Sequence, residues 1–222
     1  PYLPVTRHLS PTTGLMNELA IQHLTRADKV LARLIRKVGP CTLRPKRGRT
    51  PFQALVRSVT FQQLNGTAAE TIFGRVLALY PGKNFPAPED LLATPDDKLR
   101  GAGLSRNKTA AVKDIATKTL EGIVPDLRAI KKLSNEAILE RLAPVRGVGP
   151  WTVEMLLIFT LGREDVLPAT DFGVRKGFAL TYGLEGLPSP KDLLAHGEIW
   201  RPHRTTASWY LWRAVDMVGV LP

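Results

Sequence analysis

Apolar residues recur at helical spacing along most of this chain. Between Lys29 and Val38 the apolar side chains fall three and four residues apart, so they share one face of a helix. The segment Thr25–Asp28 resembles a capping box at the start of this pattern, and Gly39 is suited to its end. The pattern therefore predicts a helix over Lys29–Val38.

Further helical patterns begin at residues that commonly cap helices. Thr50 precedes a proline, and Ser105, Ser134 and Ser189 each precede another helical pattern. Alternating β-branched runs, which would indicate strands, are sparse, although the first 20 residues could add a strand or two. These patterns predict an all-α protein built from about ten short helices.

The composition is that of a soluble globular protein, with 44% hydrophobic and 23% charged residues. No apolar run approaches the roughly 18 residues that a membrane-spanning helix needs. The first ten residues lack the charged-then-apolar order of a secretory signal. We therefore expect a cytoplasmic protein without a membrane partner, associated with the nucleoid if the source is bacterial.

The single cysteine, Cys41, limits the cofactors that the chain can hold. One cysteine cannot supply an iron–sulfur cluster or a multi-cysteine zinc site. The four histidines show no metal-ligand spacing. We expect neither an iron–sulfur cluster nor a catalytic metal.

The net charge of +11 is unevenly spread along the chain. Residues 1–60 hold 11 Lys and Arg against 2 Asp and Glu, and the densest run lies between Arg44 and Arg49. Such a surface can simply be solvated, but it also suits a polyanion, because phosphate neutralisation and counterion release dominate nucleic-acid affinity. Charge alone does not separate DNA from RNA or anionic lipid.

The segment Leu142–Phe159 places a tight glycine turn between two helical patterns, the first of them Glu136–Ala143. Gly147 and Gly149 allow backbone N–H groups to approach a ligand closely, and the helix that follows adds partial positive charge. Such a turn can bind a phosphate. An ordinary helix–helix turn would have a similar composition.

The surroundings of this turn resemble a known family. Leu142–Phe159 resembles the helix-hairpin-helix motif, and Val166–Arg175, about 20 residues after the hairpin, is similar to the Leu-Pro and aspartate element of the helix-hairpin-helix, Gly/Pro-rich-loop, aspartate superfamily of DNA glycosylases. Val56–Ala69 and Trp200–Arg213 resemble the 3-methyladenine DNA glycosylase II branch, in a compact form. The resemblance covers roughly residues 25–218.

The resemblance implies two helical subdomains with the active-site cleft between them. Residues 1–55 with 165–222 are expected to form one subdomain, which carries the aspartate and the C-terminal aromatic helix. Residues 56–164 are expected to form the other, with the helix-hairpin-helix at about 136–160.

By this resemblance Asp171 is the catalytic residue. Cleavage of an N-glycosidic bond passes through an oxocarbenium-like sugar, which an ionised carboxylate can stabilise. The carboxylate could instead activate the attacking water as a general base. Because the helical pattern Phe172–Thr181 follows directly, Asp171 also fits a helix N-cap, and the two roles are compatible.

The position two residues after Gly149 indicates the reaction subtype. Superfamily members that also cut the DNA strand have a lysine there, whose amine forms a Schiff base with the sugar. This chain has Trp151, so the resemblance implies a monofunctional enzyme that uses water. Trp151, Phe172 and Trp212 would line the pocket for a cationic alkylated base, and Trp209 would pack in the core.

The resemblance also implies a set of DNA contacts. The expected phosphate-binding residues are Gly147, Gly149, Thr152 and Arg146, and the expected duplex-opening residues are Gln62, Gln63, Leu64 and Asn65. Leu64 would be the apolar wedge, with Asn65 as the alternative, and the two glutamines would face the opposite strand. On sequence alone Leu64 could equally be a core leucine at a helix end.

The same resemblance implies a possible monovalent cation. Na⁺ or K⁺ would bind the backbone carbonyls of Ala143, Val145 and Val148 and bridge the hairpin to a phosphate.

These inferences predict a monomeric, monofunctional DNA glycosylase that acts in base excision repair on double-stranded DNA containing damaged bases. Its expected substrates are alkylated purines of the 3-methyladenine and 7-methylguanine type, and its product an abasic site. One alternative is a glycosylase of the same fold for hypoxanthine, ethenoadenine or uracil. Another is a DNA-binding module without catalysis, which would need the hairpin but not the element around Asp171.

Overall fold

The computed structural model describes residues 11–46, 48–64 and 66–218, and side chains from Asn17 onward. Within these ranges the chain is helical and contains no strand, which confirms the predicted all-α class. A π-helical turn (Leu157–Leu161) continues α10, and a 3₁₀ turn (Gly197–Trp200) follows α12. The α-helices are α1 (Pro11–Ala27), α2 (Lys29–Val38), α3 (Pro51–Phe61), α4 (Gly66–Ala78), α5 (Pro88–Ala93), α6 (Asp96–Gly101), α7 (Arg106–Leu120), α8 (Leu127–Ile130), α9 (Asn135–Leu142), α10 (Pro150–Leu156), α11 (Phe172–Tyr182), α12 (Pro190–His196) and α13 (Arg204–Met217).

The helices divide into two compact units. The first unit contains the described residues of 1–45 and 162–222, with α1, α2 and α11 to α13. The second contains the described residues of 46–161, with α3 to α10. The expected boundary at residue 55 would cut through α3, which lies whole in the second unit.

The start of α2 differs from the sequence-based expectation. Its bounds, Lys29–Val38, are as predicted, and Gly39 follows at φ 86°. Asp28 alone is the N-cap, because its side chain accepts the N–H groups of Val30 and Leu31, both at 3.0 Å. Thr25 lies inside α1, so the predicted capping box is wrong, and residues 11–20 are helical rather than extended.

The predicted serine caps are confirmed. Ser105, Ser134 and Ser189 each accept the backbone N–H three residues ahead, at 3.1 to 3.3 Å. Thr50 forms a reciprocal capping box with Gln53 at the start of α3. These local interactions satisfy N–H groups that a helix start leaves unpaired.

A buried carboxylate ties the helices of the first unit together. Asp28, 5% exposed, accepts hydrogen bonds from Tyr182 Oη and from Trp200 Nε1 at 2.9 Å, and lies 3.1 Å from His196 Nε2. Burial alone would raise the pKa of Asp28, but hydrogen bonds from Tyr182, the Leu31 N–H, Trp200 and His196 outweigh it and hold the pKa below its ordinary value. The network joins the start of α2 to the end of α11.

The core of the second unit forms around α3 and α7. Leu55, Val56 and Val59 line the buried face of α3, which packs against α7, and α10 packs against α3 and α9. In the part of the chain that the structure describes, no helix has the length and hydropathy needed to cross a membrane.

Candidate active site

Asp171 lies between a turn and the start of α11. Its N–H donates to the carbonyl of Pro168 at 3.0 Å, and its Oδ1 accepts the N–H of Val174 at 2.8 Å. Asp171 is therefore the N-cap of α11, as the helical pattern after it predicted. The half-buried carboxylate sits at the positive end of this helix, which stabilises its negative charge.

A second donor reaches the same carboxylate oxygen from α13. Trp212 Nε1 donates to Asp171 Oδ1 at 2.8 Å. An indole N–H can donate a hydrogen bond but cannot accept one, so this contact orients the carboxylate. Trp212, which the resemblance placed in the base pocket, is half-buried and in direct contact with the predicted catalytic group.

Two glycines of α11 allow α13 to approach this closely. A Cβ on Gly173 would lie 2.8 Å from Trp212 Cδ1, and a Cβ on Gly177 would lie 1.9 Å from the carbonyl oxygen of Leu211. A side chain at either position would force the two helices apart or displace the indole. No local pattern marks these two glycines, because their partners, Trp212 and Leu211, lie 39 and 34 residues further along the chain.

The predicted pocket aromatics belong to different units. Phe172 follows Asp171 and is 57% exposed, whereas Trp209 is buried in the core of the first unit, as expected for the packing tryptophan. Trp151 lies half-buried on α10 of the second unit. In the first unit, the exposed Phe172 therefore follows Asp171 in the chain, and the half-buried Trp212 indole contacts the carboxylate.

The glycine turn in the second unit has the predicted hairpin form. It joins α9 to α10, with Gly147 in the left-handed region at φ 76° and Gly149 as the N-cap of α10 at φ −94°. Both glycines are exposed, and neither of their N–H groups donates to another residue of the described chain. The turn therefore presents two backbone donors at a helix N-terminus, the arrangement that binds phosphate.

Gly147 and Gly149 differ in the space available for a side chain. A Cβ on Gly147 would lie 3.0 Å from Ala111 Cβ, inside the protein, and its φ is one that other residues avoid. A Cβ on Gly149 would meet no atom within 4 Å. Of these two hairpin glycines, only Gly147 is therefore required by the protein's own structure.

Gln62 and Thr152 hold the hairpin rather than project from it. Gln62 Nε2 donates to the carbonyl of Gly147 at 2.9 Å and to Thr152 Oγ1 at 3.0 Å. Thr152 is 1% exposed. These positions differ from the expectation that Gln62 faces the opposite DNA strand and that Thr152 contacts DNA, because both polar groups are engaged inside the second unit.

Gln63 and Leu64 project from the turn that follows α3. Gln63 has a left-handed backbone at φ 56°, the only non-glycine residue of the described chain with a positive φ. Both side chains are exposed, and Leu64 is 38% exposed, so it is not the core leucine considered as an alternative. Asn65, the other expected wedge residue, lies outside the described residues.

The predicted basic contacts are only partly accessible. Arg146 is exposed, and its backbone N–H donates to Asp114 Oδ2 at 2.7 Å. Of the run between Arg44 and Arg49, Arg44 and Arg49 are half-buried, Lys46 is exposed, and residue 47 lies outside the described residues. Burial, followed by the charge of Arg57, lowers the pKa of Arg49.

Cys41 is buried in the first unit, where burial raises the pKa of its thiol to about 11. Across the described residues, no three His, Cys, Asp or Glu side chains form a group that could hold a metal ion.

Comparison with known proteins identifies the family. Residues 56–202 match the HhH-GPD superfamily of base excision DNA repair proteins. The chain belongs to this superfamily. The matched segment includes the turn after α3, the hairpin and Asp171, but ends before Trp212, so the contact between the indole and the carboxylate is a finding of the structure.

Relatives of this superfamily member carry names from alkylation repair. DNA-3-methyladenine glycosylase 1 of Schizosaccharomyces pombe is 40% identical over 194 residues, which cover 86% of this chain and 84% of the relative. The alkylbase DNA glycosidase-like protein mag2 of the same organism is 33% identical over 195 residues, covering 87% and 92%.

Solved structures of the superfamily agree with the fold. The S. pombe 3-methyladenine DNA glycosylase Mag1, in complex with abasic DNA, has a TM-score of 0.84 at 38% identity and covers 91% of this chain and 99% of its own. The DNA-3-methyladenine glycosidase of Bacillus halodurans has a TM-score of 0.78 at 34% identity and covers 90% of each chain.

Proposed function

We propose that this protein is a monofunctional DNA glycosylase that excises alkylated purines in base excision repair. Substrates of the 3-methyladenine and 7-methylguanine type would lose their base by hydrolysis of the N-glycosidic bond, which leaves an abasic site. The observation that carries the proposal is the Asp171 carboxylate, held on one oxygen by the start of α11 and by Trp212.

The chemistry of the leaving group explains why a carboxylate and water would suffice. N3- or N7-alkylation gives the purine a formal positive charge, so it departs as a neutral base when the bond to C1′ breaks. The bonding electrons leave with the base, and the sugar develops oxocarbenium character. The Asp171 carboxylate would stabilise that charge, and a water oxygen would bond to C1′ and release its proton to the carboxylate or to solvent.

Aromatic side chains fit a cationic base. The face of a tryptophan or phenylalanine ring attracts a cation, by about 0.5–2 kcal/mol depending on how far the pair is desolvated. Phe172, next to Asp171 in the chain, and Trp212, hydrogen-bonded to it, would offer such faces to the base. An uncharged normal purine would gain less from these rings and would be a poorer leaving group.

Trp151 also supports the monofunctional assignment. It occupies the position two residues after Gly149 where strand-cutting relatives would carry a nucleophilic lysine. An indole cannot form a Schiff base with the sugar. Water is therefore the proposed nucleophile, and the DNA strand would stay intact until another enzyme cuts it.

Double-stranded DNA is the proposed partner, bound by a monomer. The N–H groups of Gly147 and Gly149 would bind a backbone phosphate, with Arg146 beside them. Leu64 would enter the space that the flipped base leaves, and Gln63 would face the opposite strand. A flipped base is needed because the bond to C1′ is inaccessible to a protein carboxylate inside the stacked duplex.

We extend the proposal to a monovalent cation at the hairpin carbonyls. Those of Ala143 and Val148 accept no hydrogen bond from another residue of the described chain, whereas that of Val145 accepts the Val148 N–H at 3.0 Å. Ala143, Val145 and Val148 would hold Na⁺ or K⁺, which supplies positive charge for a phosphate. The cation takes no part in bond cleavage.

Base release tests the proposed function directly. The protein is incubated with duplexes carrying 7-methylguanine, 3-methyladenine, hypoxanthine, ethenoadenine or uracil, and the free base is quantified. Release of the alkylated purines, with strand breaks appearing only after alkali, is the expected result. Release of uracil or hypoxanthine alone would show that the protein is a glycosylase for another lesion. Release of no base would favour a DNA-binding module without catalysis.

A further inference from the structure

The turn that carries Gln63 and Leu64 is tied down at the carbonyl end of α3. Lys108, on α7, donates from Nζ to the carbonyl oxygens of Thr60 at 2.8 Å and Gln62 at 2.6 Å. Carbonyl groups at the end of a helix lack partners within it and carry partial negative charge, so an ammonium group stabilises them. Burial lowers the pKa of Lys108. The half-buried lysine thus caps α3 where the exposed turn begins.

The same face of α7 supports the hairpin. Asp114 Oδ2 accepts the N–H of Arg146 at 2.7 Å, and Ala111 lies against the left-handed Gly147. Lys108, Ala111 and Asp114 are spaced by three residues, so they lie along one side of the helix. One helix face therefore contacts both the turn after α3 and the glycine turn.

A third connection closes this arrangement. The side chain of Gln62, whose carbonyl accepts from Lys108, donates to the carbonyl of Gly147 and to Thr152 Oγ1. The two exposed turns are thus linked directly through Gln62 and indirectly through α7. Among these residues only Gln63 and Leu64 direct exposed side chains outward from the first turn.

We infer that Lys108 is a positioning residue for opening the DNA duplex. It fixes the turn bearing Gln63 and Leu64 relative to the phosphate-binding turn, so that the apolar side chain enters the base stack at a set distance from the gripped backbone. This inference rests on the proposed function. A wedge acts only while its turn resists displacement, because unstacking a base pushes back on the inserted side chain.

The test separates duplex opening from bond cleavage. Lys108→Met keeps the aliphatic stem and removes the donors. Single-turnover release of 7-methylguanine is measured from a duplex with the lesion opposite cytosine, and from one with the lesion opposite an abasic-site analogue, where pairing is already lost. We expect the variant to lose about 10-fold or more on the paired duplex, because small misplacements of positioning groups have effects of this size. On the unpaired lesion it should stay close to the wild-type rate.

Lys113→Met is the matched control, because Lys113 lies on the same helix and pairs with Asp96 at 2.5 Å. It should leave both rates unchanged. Gln62→Met is a second variant that removes the direct link between the turns, and it should show the same selective loss as Lys108→Met. Thermal unfolding of each variant verifies that it is folded at the assay temperature.

The outcomes distinguish the two levels of the proposal. Equal slowing of Lys108→Met on both duplexes, or no slowing on the paired one, would overturn the positioning role while leaving the glycosylase intact. Absence of base release by the wild-type protein from either duplex would overturn the proposed function itself. A fluorescent 2-aminopurine beside the lesion, on the same strand of the paired duplex, gives a readout of stacking that does not depend on cleavage. Its signal should rise on binding of the wild type and of Lys113→Met, and rise less with Lys108→Met.

Discussion

The two hairpin glycines should respond oppositely to the same substitution. Gly147→Ala places a side chain on a left-handed backbone, a conformation that disfavours L-residues by about 1–2 kcal/mol. Its Cβ would also lie 3.0 Å from Ala111 Cβ. Reduced freedom of the unfolded chain returns about 0.4–1 kcal/mol. We expect a net loss of about 1 kcal/mol or more in the free energy of unfolding, or roughly 2–4 °C in Tm for a domain of this size.

Gly149→Ala should leave stability unchanged or slightly higher. The backbone there is at φ −94° and ψ 177°, which any residue adopts, and the added Cβ meets no protein atom within 4 Å. If a DNA phosphate approaches the turn, the methyl group would stand in its path. We expect affinity for duplex DNA with an abasic-site analogue to fall about 10-fold, equivalent to about 1.4 kcal/mol.

Urea unfolding and fluorescence anisotropy, applied to both variants, provide the two measurements. The reasoning would be refuted if Gly149→Ala unfolded as easily as Gly147→Ala, or if Gly149→Ala bound DNA as tightly as the wild type. The first result would contradict the open space around position 149. The second would mean that the DNA phosphate does not lie in that space.

Three further substitutions or reactions test separate parts of the structure. Gly173→Ala should displace the Trp212 indole from Asp171 and slow base release about 10- to 100-fold with little change in DNA affinity, measured by single-turnover kinetics and anisotropy. The folded pKa of Asp28 lies below its ordinary 3.8, so the ionised carboxylate stabilises the fold above that pH and loses this effect as pH falls through the folded pKa. Urea unfolding of Asp28→Asn should therefore show a weaker loss of stability in acid than that of the wild type. Iodoacetamide should alkylate Cys41 about 100-fold more slowly in the folded than in the unfolded protein at pH 8. Burial raises the pKa of the thiol from 9.0 to about 11, which lowers the fraction of reactive thiolate. Equal rates would contradict the burial of Cys41.

The parts of the fold that sequence predicted are those decided by neighbouring residues. The bounds of α2, the serine caps and the hairpin between α9 and α10 follow from apolar spacing and from side chains that bond within three residues. Asp171 as the N-cap of α11 follows in the same way. The exposure of Leu64 could not be predicted from its neighbours, because a helix end is equally compatible with a core position.

The remaining parts depend on contacts between distant residues. Trp212 reaches Asp171 across 41 residues, and Gln62 reaches Gly147 across 85. The partners of the Gln62 amide could not be read from the sequence, because they become neighbours only after α3, α7 and α10 have packed. No local pattern in the sequence marks Lys108, because a lysine on the polar face of a helix is ordinarily solvated.

The most direct test of the account is the rate of base release by Asp171→Asn. Asparagine keeps the size of the side chain and can still accept the Val174 N–H, but it carries no negative charge to stabilise an oxocarbenium-like sugar. We predict that single-turnover release of 7-methylguanine falls at least about 100-fold, while affinity for abasic DNA stays close to that of the wild type. Wild-type rates in Asp171→Asn would contradict the central claim that this carboxylate performs the chemistry.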